Sequence, residues 1–308
     1  MVNYFCFMPV PDLGIIIVSW NTIDLLEKCL SSVFENRGIS YEVSVIDNAS
    51  EDGSADMVAR KFPSAAIIRN SANVGFSRAT NQGLRRFGFD GSSAAPRYAL
   101  LLNPDTELPE TALAAMAALL DMNPQAGAAG PRLLRPDGTL DPACRRSFPT
   151  PASSFYRFSG LSALFPKSRR FGSYNLTYCD PAATTEVDCV NGAFMMVNGP
   201  LIAGVGLLDE EFFFGGEDLD WAFRIKATGR TILYYPAVTV RHVKQAAFRK
   251  NAGARYEFNR AMWLFYRKHY RATTPFLLDW CIRMGLALRG GPRLAQEMQA
   301  FSKGGAVA

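Results

Sequence analysis

Apolar and polar positions alternate in blocks along the first part of the chain. Leu13–Trp20, LGIIIVSW, is a continuous apolar run rich in Ile and Val. Such a run predicts a strand buried on both faces, as in a parallel sheet. In the following NTIDLLEKCLSSVFEN, Leu26, Cys29, Leu30, Val33 and Phe34 recur at helical spacing, with Asn21 or Thr22 placed to cap the start. YEVSVID (Tyr41–Asp47), AAIIRN and YALLLNPD (Tyr98–Asp105) predict further strands. NASEDGSADMVARKF, GFSRATNQGLRRF and PETALAAMAALLDMN predict helices, the last closed by Pro124. Strand and helix thus alternate four times within about 110 residues, the pattern of βαβ units with helices on both faces of a parallel sheet.

From Asp141 to Thr185 the periodicity weakens and Pro, Ser, Phe and Arg accumulate, which predicts a long excursion with short elements. Val187–Asn198, VDCVNGAFMMVN, returns to strand character with a Gly-Ala interruption. A helix over LDWAFRIKATG and strands over TILYYP and VTVRH come next. Beyond about Ala252 the chain is helical, with aromatic and basic residues interleaved as in EFNRAMWLFYRKHYR. The expected organisation is a tail over 1–12, an α/β domain over 13–250 and a basic helical extension over 251–308.

Ligands of parallel sheets bind beyond the carboxyl ends of the strands. Those ends here are Ser19-Trp20-Asn21, Asp47-Asn48 and Asn103-Pro104-Asp105. Asn, Asp and Pro also punctuate turns, but three such endings on one edge predict a site. Asp105 can ligate a hard cation such as Mg²⁺ or Mn²⁺, and a diphosphate would share that ion. Asp47 can accept a hydrogen bond from a nucleobase N–H. A second acidic cluster comes after an aromatic run in FFFGGEDLDWAFR, Phe212–Arg224. Glu217 and Asp218 stand at a predicted helix start, where the dipole favours an anion and a neighbouring carboxylate raises one pKa. Asp220 is expected to pair with Arg224 at i+4, and His269 to be structural.

Composition narrows the reading. With 48% apolar residues in 308, a sizeable core is affordable and disorder is not expected. The formal charge of +5 hides an asymmetry: Arg241–Arg293 holds twelve Lys/Arg against Glu257 and Asp279, locally about +10. That segment fits an anionic lipid surface, a solvated basic helical pair or a homodimer surface. Nucleic acid is not expected, because no nucleic-acid motif accompanies the charge. Six cysteines without C-x-x-C spacing read as buried free thiols of a cytoplasmic protein. The N-terminus lacks a basic stretch and a long apolar core, so no signal peptide is expected. FLLDWCIRMGLAL is too short and too charged to span a bilayer. Dinucleotide, P-loop and G-x-S-x-G signatures are missing, and two histidines do not make a zinc motif.

The order VSWN (Val18–Asn21), DNASEDGS (Asp47–Ser54), NVGFSRATNQG (Asn73–Gly83), LLNPD (Leu101–Asp105), NGAFMMV (Asn191–Val197), GGEDLDWAFR (Gly215–Arg224) and VRH (Val240–His242) resembles family 2 glycosyltransferases. It looks most like their rhamnosyltransferase-like branch and covers roughly residues 13–270. The resemblance implies a GT-A fold: a Rossmann-like, mostly parallel sheet flanked by helices, with residues 13–135 binding the nucleotide and 186–250 carrying the base and acceptor site. Asp47 matches the aspartate that contacts a pyrimidine base, with Ser19, Trp20, Asn21 and Asn48 beside it. Asn73, Gly75, Arg78, Asn81 and Asn103 fall on the donor side, where Arg78 meets phosphate or merely covers a helix face. Asp105 matches the last aspartate of the D-x-D metal motif, whose first acidic position is Asn103 here. His242 matches a late histidine that completes the metal or diphosphate site, although VKQAAF comes after it in place of a Gly- and Ser-containing loop. Asp218, preceded by Glu217, matches the pair that supplies the catalytic base; the residues themselves suggest an acceptor wall of Phe214 and Trp221, with Gly216 bending the backbone toward the substrate.

The function implied by this resemblance is inverting transfer, with Mg²⁺ or Mn²⁺, from a nucleoside diphosphate sugar to a cell-surface glycan or lipid-linked saccharide. dTDP-rhamnose is the leading donor, and a UDP-sugar used by a hexosyl- or galactofuranosyltransferase the alternative. The implied location is the cytoplasm or the inner face of the cytoplasmic membrane. A non-catalytic nucleotide-sugar-binding protein is the rival of another class, and the intact Asp105, Asp218 and His242 argue against it.

Overall fold

A computed structural model of the chain describes residues 10–243 and 253–304. The first half alternates as its apolar blocks require: β1 (Leu13–Ser19), α1 (Ile23–Phe34), β2 (Tyr41–Asp47), α2 (Ser54–Lys61), β3 (Ala66–Arg69), α3 (Phe76–Arg86) and β4 (Tyr98–Leu102). These strands are parallel in the order β3-β2-β1-β4. Ser19 stands opposite Asp47, so the polar strand ends share one edge. Every residue of β1 and β4 is buried, which explains runs without a polar alternation.

Next come β5 (Thr106–Glu107), α4 (Ala112–Met122), β6 (Ala126–Leu134), β7 (Arg145–Arg146), α5 (Pro151–Phe158), α6 (Leu161–Leu164), β8 (Thr185–Val187), β9 (Cys189–Val190), β10 (Phe194–Asn198), α7 (Gly199–Val205), α8 (Glu217–Ala227) and β11 (Thr231–His242). The sheet runs on from β4 through β10, β6, β11 and β5, with β8 on β11, and β10 is antiparallel to both neighbours. Strand β5 and helix α7 were not expected, and β6 and β11 depart further from the sequence expectation. β6, AGAAGPRLL, was not expected because Ala and Gly are poor strand formers. Its glycines serve packing: a Cβ at Gly127 would come within 2.6 Å of Ile225, and one at Gly130 within 2.7 Å of Val190. TILYYP and VTVRH form one strand, β11, whose pairing with β6 shifts register between Tyr235 and Thr239. Pro236, which has no N–H to donate, sits in that shift.

The C-terminal helices are α9 (Ala254–His269), α10 (Phe276–Gly290) and α11 (Pro292–Gly304). Trp263, Leu264 and Phe265 of α9 join the same core as the sheet. Asp220 of α8 fastens the two parts together. It is fully buried and meets Arg224 at 2.9 Å, Lys268 at 2.8 Å and His269 at 2.8 Å. Burial alone would raise its pKa; the hydrogen bond from His269 and the charges of Arg224 and Lys268 hold it at about 2. The expected pair of Asp220 with Arg224 is thus present, and His269 has a structural place beside it. Among the described residues Cys29, Cys144 and Cys189 are buried free thiols, whereas Cys281 is exposed, contrary to the expectation of burial. No helix among them is long and apolar enough to cross a membrane.

Candidate active site

A cleft of about 990 Å³ opens where the strands end. One wall holds Trp20, Asn48, Asn73 and Gly75. The Asn48 amide donates to Asn73 Oδ1 at 2.8 Å, and its carbonyl accepts from Val74 N at 3.0 Å. Gly75 has φ +86°, and a Cβ there would lie 2.7 Å from the Phe213 ring and 2.9 Å from the Phe213 carbonyl. Phe76 N donates to that carbonyl at 2.7 Å, joining the α3 start to the aromatic run before α8. Asp47 is buried beneath the strand end and does not itself line the cleft. Its Oδ2 accepts from Ser50 N at 3.1 Å, while Oδ1 is buried with no partner. A buried acceptor without a donor is costly unless a ligand supplies one.

Several residues expected here do other work. The Ser19 hydroxyl bonds that of Thr22 at 3.0 Å. Asn21, at φ +53°, accepts from Glu51 N at 2.8 Å and ties two loops together. Neither lines the cleft. Asn81 is buried and staples Leu208 through both its amide atoms, at 2.9 and 3.0 Å. Arg78 is exposed and pairs with Glu210 at 3.4 Å, which favours the helix-face reading. Trp221 is fully buried, and its indole donates to Gly206 O at 2.9 Å, so it is core and cannot form an acceptor wall. Phe213, Phe214, Gly215 and Gly216 do line the cleft. Gly215 and Gly216 have φ +84° and +89°, the left-handed turn that delivers the chain into α8.

Asn103, Asp105 and His242 form another edge. His242 Nε2 lies 3.3 Å from Asp105 Oδ1, and Nδ1 lies 3.4 Å from Asp141 Oδ2. Burial opposes the charged imidazole, but the bonds to Asp105 and Asp141 outweigh it and lift its pKa to about 9. Asp141 is buried and caps a short turn by accepting from Ala143 N at 3.0 Å. No group of three or more His, Cys, Asp or Glu forms a closed metal cage among the described residues. Asp105 and His242 side by side could hold a hard divalent ion only with the imidazole neutral, so metal binding would have to displace the proton that the two carboxylates favour. Asp141 on the far nitrogen is the outer partner such a histidine ordinarily has. Lys244–Phe248, which stands in place of the Gly- and Ser-containing loop, lies outside the described residues.

Glu217 and Asp218 open α8 and line the same cleft. Asp218 Oδ2 accepts from Arg146 Nη2 at 2.5 Å and from Gly192 N at 3.0 Å, and Oδ1 from Leu219 N at 2.8 Å. Arg146 is buried and more basic than usual: burial opposes its charge, but Asp218 outweighs that. Glu217 is pushed up to about 8, first by burial and then by the charge of Asp218, and its Oε2 has no partner. Arg146 and Asp141 were missed from sequence because both sit in a stretch without periodicity. The doublet Arg145-Arg146, with Pro149 and Pro151 soon after it, was the one local signal.

The sequence profile of glycosyl transferase family 2 matches residues 14–179. The chain is 24% identical over 282 residues to N-acetylglucosaminyl-diphospho-decaprenol L-rhamnosyltransferase of Mycobacterium tuberculosis, covering 90% of this chain and 91% of that protein. Among solved structures it resembles S. aureus TarS, with TM-score 0.56 and 14% identity over 90% of this chain, although it spans only 42% of the TarS chain. It also resembles the mannosyltransferase PcManGT of Pyrobaculum calidifontis in complex with GDP-Man and Mn²⁺, with TM-score 0.56 and 17% identity over 96% of this chain and 81% of that one. The fold is GT-A, as expected from the motif order. With its family profile spanning more than half of the sequence, the chain belongs to glycosyltransferase family 2.

Proposed function

We propose that the protein is an inverting, metal-dependent glycosyltransferase that moves a sugar, rhamnose from dTDP-rhamnose first among candidates, to a saccharide acceptor of the lipid-linked kind. The observation that carries this reading is one cleft faced by Asp105 and His242 on one side and by Glu217 and Asp218 on another. The unpartnered Asp47 Oδ1 supports a nucleobase N–H as the missing donor. The named substrate of the mycobacterial relative supports the sugar and the acceptor class.

Asp105 and His242 would hold Mg²⁺ or Mn²⁺, which supplies charge neutralisation for the departing diphosphate. Asp218 takes the proton of the acceptor hydroxyl as that oxygen attacks the anomeric carbon. The bond to the diphosphate oxygen breaks on the opposite face, so the configuration inverts. Arg146 and Gly192 N fix the Asp218 carboxylate, and the Gly215-Gly216 turn leaves room for the acceptor. One observation favours a second reading of the base: both Asp218 oxygens already accept hydrogen bonds, whereas Glu217 has an oxygen without a partner and a raised pKa.

The test is turnover of dTDP-rhamnose, UDP-glucose, UDP-galactofuranose and GDP-mannose, with and without Mn²⁺, on a prenyl-diphosphate-linked N-acetylglucosamine. The anomeric configuration of the product is read by NMR. Metal-dependent turnover of dTDP-rhamnose with inversion is expected. Turnover of a UDP-sugar alone moves the donor assignment. Absence of turnover together with absence of nucleotide binding makes a non-catalytic role the better reading.

A further inference from the structure

Helix α10 is built to be covered on one face. Phe276, Leu277, Trp280, Met284 and Leu288 are 80, 71, 50, 44 and 74% exposed. Their spacing of three and four residues gathers them into one stripe along about 20 Å of helix. The other face binds the protein through Asp279 and Leu286, both buried. Asp279 is the one acid between Phe276 and Arg293, and it is consumed by Arg283 at 2.9 Å, Arg271 at 3.5 Å and the Tyr266 hydroxyl at 3.0 Å. The outward face of α10 therefore carries apolar side chains and cations only.

A second element adjoins it. The Arg289 guanidinium lies 4.0 Å from the Phe158 ring, joining α10 to α5. There Phe155, Phe158, Leu164 and Phe165 are 62, 42, 69 and 48% exposed. Pro151–Arg170 contains Arg157, Lys167, Arg169 and Arg170 and no Asp or Glu. Exposed apolar area on this scale marks an interaction surface on a water-soluble fold. A second copy of the chain would bring arginines against arginines. An anionic bilayer accepts both the apolar stripe and the surrounding cations. The patch also borders the cleft: Arg157 of α5 lines it, and α9, against which α10 packs, lines it through Phe258 and Met262.

We propose that α10 and the α5–α6 hairpin together form a docking face that inserts into the headgroup layer of an anionic membrane, with the cleft opening beside it. Docking of this kind depends on neither donor nor acceptor identity. It is tested without them, by flotation of the full chain with vesicles of phosphatidylcholine alone or mixed with phosphatidylglycerol. Flotation with the anionic vesicles, weakened by salt and accompanied by a blue shift of Trp280 fluorescence, is expected. L277E/L288E, and separately F155E/L164E, should each lower partition about tenfold or more, whereas Met122→Glu, 71% exposed on α4, should leave it unchanged. Thermal melts confirm that the variants are folded. Wild-type protein that ignores anionic vesicles, or partition equal in all variants, overturns the proposal. So does a dimer seen by light scattering that L277E/L288E dissolves, since a second copy would then cover the patch. None of these failures touches the glycosyltransferase reading, which is read by turnover.

Discussion

Two faces of helix α8 carry the same chemistry to opposite ends. Glu217, toward the cleft, has an oxygen without a partner and a pKa near 8. Asp220, three residues on and turned toward α9, has Arg224, Lys268 and His269 as partners and a pKa near 2. Both are buried, so burial does not decide between them. What decides is whether the surroundings complete the carboxylate. The completed one holds the fold together, and the incomplete one is left for a ligand.

The sharpest way to break this contrast is Asp218→Asn. If Asp218 is the base, kcat should fall by about 10²–10⁴. The melting temperature should fall as well, because Arg146 would keep a buried charge without its counter-ion. Full turnover in a folded D218N enzyme removes Asp218 as the base. Asp220→Ala should do the reverse. It should cost about 3 kcal/mol of stability, read by urea unfolding, with turnover per folded molecule unchanged; a selective loss of kcat would place Asp220 in the site after all.

Glu217→Gln sharpens the comparison through pH. The folded chain holds this proton up to about pH 8, while a glutamate in the unfolded chain releases it near 4.5. The unfolded state therefore binds fewer protons between those values, and stability falls as pH rises through that window. E217Q should flatten that decline in a series of melts. If Glu217 is the base, the rise of kcat toward pH 8 should vanish with it; a profile and melts identical to wild type would refute both roles. Arg146→Lys keeps the charge but loses the planar fork, so about a tenfold loss in kcat is expected, with little change in donor KM. The smallest effect belongs to Arg78→Ala. Its exposed ion pair with Glu210 should be worth under about 0.5 kcal/mol, and donor KM should not move. A several-fold rise in KM would return Arg78 to the phosphates.

The sheet edge was legible because buried parallel strands write themselves as unbroken apolar runs, and their ends are marked by Asn and Asp. The Glu217–Asp218 pair was legible because a Gly-Gly turn and a helix start bracket it. β6 was not, since its glycines answer to the Ile225 and Val190 side chains that press on them. Arg146 and Asp141 were hidden because their partners lie 72 and 101 residues away. Ser19, Asn21, Asn81 and Trp221 show the converse error. A strand end or helix start gives a residue's address along the chain, but not the direction of its side chain, and all four point into loops or core.

The contact between Gly75 and Phe213 has a consequence for how this sequence can vary. A methyl group at position 75 meets both the ring and the main-chain carbonyl of Phe213. Replacing Phe213 by a smaller residue would clear the ring and leave the carbonyl where it is. No second-site side-chain change therefore licenses a larger residue at 75. The two positions, far apart in the gene, are bound by a rule that selection can keep or break but cannot bargain with.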